Sequence, residues 1–328
     1  MSASSSCSVG GGEEFVTNAN QPQIAKIIQE VQKAVQGCDE VIRLCVVALL
    51  ADGHVLLEDA PGLGKTTLAR AFSVALGCTF HRIQFTPDLL PGDVLGGSIY
   101  RQDSGDFEFR PGPIFTQLLL ADEINRTTPR MQSALLEGMS ERQVSLEGTT
   151  HHLPQPFFVV ATQNPWDSEG TFPLPESQLD RFMMCLSMGY PDRSAELQII
   201  QDHRDDQPLE NLQAVVNADA VLQLQQQTRA VRVDESLAKW MLEIAHATRN
   251  HPEVKLGVST RGVLTLYRAS QSFALVNGRD FVIPDDVQAL VIPVLAHRLV
   301  SRGAATEDQR ELASAVLKEI MSGLTVPV

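Results

Sequence analysis

A glycine-rich turn between a short apolar run and a helix-forming stretch constrains the fold of this chain more than any other feature. The apolar run covers residues 55–57, the turn 59–64 and the helix-forming stretch 66–76. A strand that leads through a tight turn into a helix is the building unit of parallel α/β sheets. The sequence therefore predicts an α/β fold with this turn at the carboxyl end of a strand.

The turn ends in the pattern Gly-x-Gly-Lys-Thr, which is typical of a phosphate-binding loop. Backbone N–H groups of such a loop surround phosphate oxygens, while Lys65 reaches the β and γ phosphates and the Thr66 hydroxyl ligates magnesium. The predicted nucleotide-binding residues here are Asp59, Ala60, Pro61, Gly62, Leu63, Gly64, Lys65, Thr66 and Thr67. Because aspartate tolerates left-handed backbone better than most residues, we expect Asp59 to replace the usual first glycine. An ordinary structural turn could share these letters, so a second motif is needed.

Two adjacent carboxylates supply that second motif. Asp122 and Glu123 follow the apolar run 118–121, which reads as a buried strand. At the end of such a strand Asp122 can hold magnesium through water and bind the nucleotide, and Glu123 can polarise the attacking water as a catalytic residue. The alternative is that the pair caps a following helix. Together with the phosphate loop and its catalytic Lys65, the pair predicts hydrolysis of ATP with Mg²⁺.

Composition and charge argue against several other classes of protein. The net charge of −14 repels phosphate backbones, so it disfavours nucleic acid as a partner. The five cysteines lack Cys-x-x-Cys spacing, which favours reduced thiols over a zinc or redox site. Neither a signal peptide nor an apolar run of about 20 residues is present, so we expect no membrane span and a cytoplasmic location.

Further strand and helix patterns predict a large α/β unit followed by a small helical one. Together with 55–57, four apolar runs predict a parallel sheet of five strands. The runs cover residues 82–85, 115–121, 157–161 and 183–186. Beyond residue 192 only helical periodicity is seen, which indicates an all-helical lid domain. We therefore expect a disordered tail over 1–20, a nucleotide-binding core over 21–190 and the lid over 191–328.

Two stretches resemble signature segments of the MoxR family of AAA+ ATPases. They are 121–126, which reads ADEINR, and 85–93, which reads FTPDLLPGD. The similarity continues from about residue 22 to the carboxyl terminus. It implies a P-loop NTPase core with a helical lid, which binds ATP and Mg²⁺ and works as a homo-oligomeric ring, most commonly a hexamer.

The resemblance also implies roles for three polar residues beyond the two motifs. Asn164 matches a sensor that orients the hydrolytic water, although Asn-Pro also turns a chain after a strand. Arg181 matches the arginine that reaches the nucleotide of the adjacent subunit, with Arg126 and Arg130 as competing candidates. Arg261 matches a second sensor at a helix start, which would contact the γ-phosphate; a solvated helix-terminal cation is the alternative.

Two insertions and one glutamine complete the expected site. The stretch 91–113, with Gly96-Gly97 and a turn at Ser104-Gly105, interrupts an expected helix, and 143–153 reads as a hairpin around Gly148. Both resemble insertions of this AAA+ group, the helix-2 insert and the pre-sensor-1 hairpin, although plain surface loops remain possible. By the same resemblance, Gln84 would hold Glu123 away from water until a partner binds.

Three functions fit such a site. The resemblance implies a chaperone-like ATPase that remodels, assembles or activates a client protein, with a protein bearing a von Willebrand factor A (VWA) domain as the expected partner. A nucleic-acid motor and a chelatase-type subunit are the alternatives. The acidic charge and the isolated cations Arg101 and Arg110 in the first insertion argue against the motor.

Overall fold

The computed structural model describes residues 21–103, 105–146, 148–165, 170–205, 209–303 and 309–327. The predicted tail over 1–20 and Ser104 of the predicted turn lie outside these ranges. The strands are β1 (Val55–Glu58), β2 (Phe80–Gln84), β3 (Gly96–Tyr100), β4 (Phe107–Pro111), β5 (Leu118–Asp122), β6 (Gln143–Leu146), β7 (Thr149–His152), β8 (Phe158–Gln163), β9 (Met184–Leu186), β10 (Val254–Leu256) and β11 (Val300–Ser301).

Twelve α-helices are found within the described ranges. They are α1 (Gln21–Gln32), α2 (Asp39–Leu50), α3 (Lys65–Ala75), α4 (Pro91–Leu95), α5 (Pro129–Glu141), α6 (Glu176–Leu179), α7 (Arg193–Asp205), α8 (Ala218–Ala230), α9 (Glu235–Asn250), α10 (Thr260–Val276), α11 (Pro284–Leu295) and α12 (Gln309–Gly323). None of them combines the length and apolarity that a membrane-spanning helix requires.

Five strands form one parallel sheet in the order β2-β5-β8-β1-β9, which confirms the predicted α/β architecture. Side chains of a strand alternate between the two faces of the sheet. On β5, Leu118 and Leu120 belong to a core that extends over the α1–α3 side and into the lid, whereas Leu119 and Ala121 belong to a second core with α5. Burial on both faces explains why the strands read as continuous apolar runs.

The segment after β9 is helical, as expected, with one addition. Helices α8 to α12 pack together, but β10 and β11 form a short antiparallel pair between them. The prediction of an all-helical lid is wrong in this detail, because strands of two or three residues are too short to produce a recognisable alternation.

Both predicted insertions contain hairpins. In the first, α4 is only five residues long and leads into the antiparallel pair β3–β4. In the second, β6 and β7 pair around Gly148, whose φ is +80°. The rings of Phe109 on β4 and His151 on β7 stack with centroids 3.7 Å apart, so the two hairpins touch.

The four described cysteines, Cys38, Cys45, Cys78 and Cys185, are free thiols. Burial raises the pKa of Cys45 to about 12 and that of Cys78 to about 11. Protonated thiols of this kind are poor nucleophiles and poor metal ligands, so they pack as small apolar groups.

Candidate functional site

The predicted phosphate loop connects the carboxyl end of β1 to the start of α3. Gly62 and Gly64 have φ values of +86° and +87°, a region in which any residue with a Cβ would be strained. Gly64 is the N-cap of α3 and has no side chain that could cap the first amides of that helix. A Cβ at Gly62 would have no neighbour within 4 Å, so space is open above the loop.

Lys65 points along this loop toward the acidic side chains. Its Nζ donates to the carbonyl of Asp59 at 2.7 Å. Partial burial lowers the pKa of Lys65, while the charges of Asp59, Asp122 and Glu123 oppose that shift. The phosphate loop and the acidic pair, more than 50 residues apart in sequence, therefore lie within electrostatic reach of one another.

Asp59 has a different role from the one expected. Its backbone is not among the described non-glycine positions with positive φ, so tolerance of left-handed backbone is not what suits it to this place. Instead its carboxylate is buried and accepts hydrogen bonds from the segment that follows β9. The donors are Ser187 Oγ (2.6 Å), Met188 N (2.7 Å) and Gly189 N (3.2 Å). Asp59 thus joins the start of the phosphate loop to the chain that leads out of the sheet.

Replacing Asp59 by the glycine of the usual pattern should destabilise the protein. Asp59→Gly leaves the amides of Met188 and Gly189 without their charged acceptor, and we expect a loss of roughly 2 kcal/mol in the free energy of unfolding. Denaturant unfolding of Asp59→Gly, with Asp59→Asn as an isosteric intermediate, measures this. A glycine variant as stable as the parent would contradict the anchoring role.

Asp122 is held at the end of β5 by its neighbours on both sides. Thr162 Oγ1 on β8 donates to Asp122 Oδ1 at 2.6 Å. Arg82 on β2 forms an ion pair with Oδ2 at 2.6 Å, and the side chain of Asp122 is 13% exposed. Neither Arg82 nor Thr162 is predicted from the sequence as a site residue, since their closeness to Asp122 depends on the order of the strands.

Glu123 lies next in the chain with an unusual left-handed backbone, φ 57° and ψ 52°. Such a conformation costs a non-glycine residue about 1 kcal/mol or more and is common at functional sites. Its amide donates to Thr162 Oγ1 at 2.9 Å. Its carboxylate accepts from Gln84 Nε2 at 2.8 Å and pairs with Arg126 Nε at 3.1 Å. The expected contact between Gln84 and Glu123 is therefore present.

These residues fit a nucleotide and a divalent cation. The uncapped amides at the start of α3 and the Lys65 ammonium suit phosphate oxygens. The Thr66 hydroxyl and the Asp122 carboxylate are oxygen ligands of the kind that Mg²⁺ prefers. Thr66 is in the first turn of α3, and Asp122 is near enough to Lys65 to affect its pKa.

Asn164 follows the last residue of β8 and lies at the same edge of the sheet. Its carbonyl accepts from Asn125 Nδ2 at 3.2 Å, so the loops after β5 and β8 are joined beside Glu123. The position agrees with the sensor assignment, whose role in orienting water stays a prediction.

The three candidate arginines have different environments within the single chain. Arg181 Nη1 donates to Leu136 O at 2.7 Å and to Ser140 Oγ at 3.2 Å, both on α5. Arg126 pairs with Glu123, and Arg130 lies exposed in the first turn of α5. Arg181 is thus held by uncharged acceptors, which a guanidinium exchanges readily for a phosphate.

Arg261 occupies the first turn of α10, as predicted, and its guanidinium is exposed. It lies 3.9 Å from Asp180, the residue that precedes Arg181. Ser259, the N-cap of α10, also donates to Asp180, at 3.2 Å. Asp180 therefore links the two residues assigned by resemblance, since it precedes Arg181 in the chain and lies beside Arg261.

The fold and the site together define a nucleotide-binding P-loop protein of the AAA class. Residues 54–184 match the model of the ATPase family associated with various cellular activities (AAA), and residues 246–320 match that of the AAA lid domain. The solved structure of a candidate ATPase from Cytophaga hutchinsonii superposes with a TM-score of 0.85 at 36% identity, covering 94% of this chain and 96% of that one.

Curated relatives narrow the class to one family. The uncharacterized protein YeaC of Bacillus subtilis is 48% identical over 94% of this chain and 96% of its own length. Chaperone MoxR1 of Mycobacterium tuberculosis is 38% identical over 97% of this chain and 85% of its own length. The chain belongs to the MoxR family of AAA+ ATPases.

Proposed function

We propose that this protein hydrolyses ATP with Mg²⁺ and uses the energy to remodel or activate a client protein. The observation that carries the proposal is the convergence of Lys65, Asp122 and Glu123 at the carboxyl edge of the sheet, where their charges interact. Each is held by a neighbouring group: Lys65 donates to the Asp59 carbonyl, Thr162 donates to Asp122, and Gln84 donates to Glu123. Bound Mg²⁺ would neutralise phosphate charge at this edge.

Each residue has a distinct task in this proposal. The amides of the loop and Lys65 bind the phosphates, while Thr66 and Asp122 supply oxygens for the cation. Glu123 takes a proton from the attacking water, and Asn164 orients that water. Arg82 and Gln84 hold the two carboxylates through hydrogen bonds of 2.6 and 2.8 Å.

The proposal includes a homo-oligomeric ring, with a hexamer as the expected size. A single chain has no guanidinium bonded to its phosphate loop among the described contacts, whereas phosphoryl transfer gains about 10³- to 10⁵-fold from an arginine at the transition state. Arg181 is proposed to reach the site of the adjacent subunit. Each ATP site would then lie between neighbours.

A client protein is the proposed partner, and a VWA-domain protein is the expected one. The relative named chaperone MoxR1 supports a chaperone-like role. The exposed hairpins β3–β4 and β6–β7 offer contact surfaces on a rigid scaffold. Measuring ATP turnover with and without DNA at moderate salt separates this role from that of a nucleic-acid motor, because clear stimulation by DNA would contradict it.

Replacing Lys65 by alanine should remove ATP binding. The ammonium is the cation that the chain itself directs at the phosphates, and we expect ATP affinity to fall by at least about 100-fold. Equilibrium titration with a fluorescent ATP analogue measures this. Lys239→Ala is the matched control, since Lys239 lies exposed on α9 and pairs with Glu235 in the same helix. Equal affinity of Lys65→Ala and the parent would refute the phosphate-loop assignment.

A further inference from the structure

A single buried arginine of the lid holds the backbone on both sides of Arg181. Arg298 ends the short helical turn after α11 and is 4% exposed. Its guanidinium forms an ion pair with a carboxylate of the α/β domain and donates to backbone carbonyls of that domain and of α11. The acceptors are Asp180 Oδ1 (2.8 Å), Asp180 O (3.3 Å), Phe182 O (2.5 Å), Met183 O (3.2 Å) and Val294 O.

The Asp180 carboxylate also contacts two residues at the start of α10. Ser259 Oγ donates to its carboxylate at 3.2 Å, and Arg261 lies 3.9 Å from it. One carboxylate of the core thus contacts three lid residues. The candidate trans arginine and the candidate second sensor are connected through Asp180 and Arg298.

Gly262 provides the space through which Arg298 reaches the core. A Cβ at Gly262 would lie 3.0 Å from Cδ of Arg298 and 2.7 Å from a methyl group of Val258. The absence of a side chain on this turn of α10 therefore lets the aliphatic stem of Arg298 pass against the helix. A glycine inside a helix is less favourable than an alanine, a cost that close packing of this kind offsets.

The charge of Arg298 persists despite its burial. Desolvation lowers the pKa of Arg298 to about 10, with Asp180 opposing the shift, so the group is protonated at neutral pH. Burying such a charge is expensive, and apolar side chains of similar volume generally give equal or greater stability. An arginine adds a planar guanidinium, whose N–H groups form a rigid fork that fixes several acceptors in one geometry. Here those acceptors are the backbone positions that flank Arg181.

We infer that Arg298 is a positioning residue for ATP hydrolysis across the subunit interface. It holds the 180–183 segment against the lid, so that Arg181 is presented to the adjacent subunit in one fixed arrangement. The inference rests on the proposed function, in which Arg181 acts in trans. Arg298 itself touches neither the phosphate loop nor Asp122 or Glu123 among the described contacts.

Arg298→Lys tests the inference because it keeps the charge beside Asp180 but loses the fork. We expect kcat to fall roughly 10- to 100-fold, as small misplacements of catalytic groups do, with the Kd for ATP unchanged. The matched control is Arg279→Lys, since Arg279 forms a similar pair with the buried Asp286 (2.7 Å) entirely within the lid. That control should keep the parental kcat.

Mixing subunits distinguishes positioning in trans from damage to the subunit's own site. Arg298→Lys subunits have an intact phosphate loop, and Lys65→Ala subunits have an intact Arg298 and Arg181. In an equal mixture about one interface in four combines the intact halves, so activity should reappear at about a quarter of the parental rate. Asp180→Asn, an isosteric change that removes the carboxylate, should behave in the same way if Arg298→Lys folds poorly.

Two results would overturn the inference. One is a parental kcat in both Arg298→Lys and Asp180→Asn. The other is a loss of activity that mixing with Lys65→Ala does not restore, while the mixture of Arg181→Ala and Lys65→Ala is restored. If the Arg181→Ala mixture also stays inactive, the action of Arg181 in trans fails, and with it both the proposed ring mechanism and the inference that rests on it.

Discussion

Glu123→Gln should bind ATP as tightly as the parent protein and hydrolyse it at least about 100-fold more slowly. The amide keeps the size of the side chain and can still accept a hydrogen bond from Gln84, whose Nε2 lies 2.8 Å from the carboxylate. It cannot accept a proton from water. The change therefore removes the proposed base and leaves the phosphate-binding groups in place. Single-turnover hydrolysis and equilibrium binding of ATP measure the two effects separately.

A matched control for this change lies on the next helix. Glu137 is exposed on α5 and lies outside the site, so Glu137→Gln changes the net charge equally without touching the carboxyl edge of the sheet. It should keep the parental rate. Turnover above a tenth of the parental rate in Glu123→Gln would show that another group takes the proton, and the assignment of Glu123 as the base would then be wrong.

The same variant gives access to the client. With ATP bound and turnover stopped, the proposed ring should persist in its ATP state and retain whatever it engages. A pull-down with Glu123→Gln and ATP, compared with Lys65→Ala under the same conditions, identifies proteins held only in the ATP state. Recovery of a VWA-domain protein by Glu123→Gln alone would support the proposed partner. Equal recovery by both variants would argue that the contact does not depend on nucleotide.

Features that depend on a few contiguous residues were predictable from the sequence. The turn between β1 and α3 is found where it is predicted, because its glycines and the flanking strand and helix patterns occur together within 55–76. The same holds for Asp122 and Glu123 at the end of β5, and for the hairpin around Gly148. In each case a few neighbouring residues determine the local backbone, so no knowledge of distant contacts is needed.

Features that depend on strand order were not predictable. β5 lies between β2 and β8, so Arg82 and Thr162 flank Asp122 although each is 40 residues from it in sequence. The alternation of Arg82 and Gln84 on β2 was the available signal, because residues two apart on a strand share a face. The sequence does not give the register that pairs Gln84 with Asp122, so it does not show that this face of β2 lies beside the acidic residues.

Asp59 and Arg298, which anchor the site through long-range contacts, were not predictable from the sequence for a related reason. Asp59 and Arg298 are buried charged residues, whereas the sequence alone suggests an exposed turn and an exposed helix end for them. Most of their partners are backbone groups, at 188–189 for Asp59 and at 180–183 for Arg298, and a sequence pattern does not reveal contacts with backbone groups. Arg298 holds the chain that enters β9, and Asp59 holds the chain that leaves it.

Arg181→Ala should leave ATP binding intact and lower the maximal rate by about 10³-fold, which is the lower end of the effect of an arginine delivered in trans. In the single chain Arg181 bonds to Leu136 O and Ser140 Oγ on its own α5. These uncharged acceptors hold a guanidinium more weakly than a phosphate does, so approach of a neighbour's nucleotide can draw the side chain away. Steady-state kinetics should show the loss in kcat, whereas Arg130→Ala, which removes the competing candidate on the exposed start of α5, should keep the parental kcat.

Mixing Arg181→Ala with Lys65→Ala tests whether the arginine acts between subunits. Each variant alone lacks one half of every site, whereas a mixed ring contains interfaces with the intact phosphate loop of one subunit and the intact arginine of the next. We expect each variant alone to be inactive and an equal mixture to recover about a quarter of the parental activity, provided that subunits exchange. A mixture as inactive as its components would rule out Arg181 as the trans residue. Since Arg126 is already paired with Glu123 at 3.1 Å, the exposed Arg130 would then be the first alternative to test.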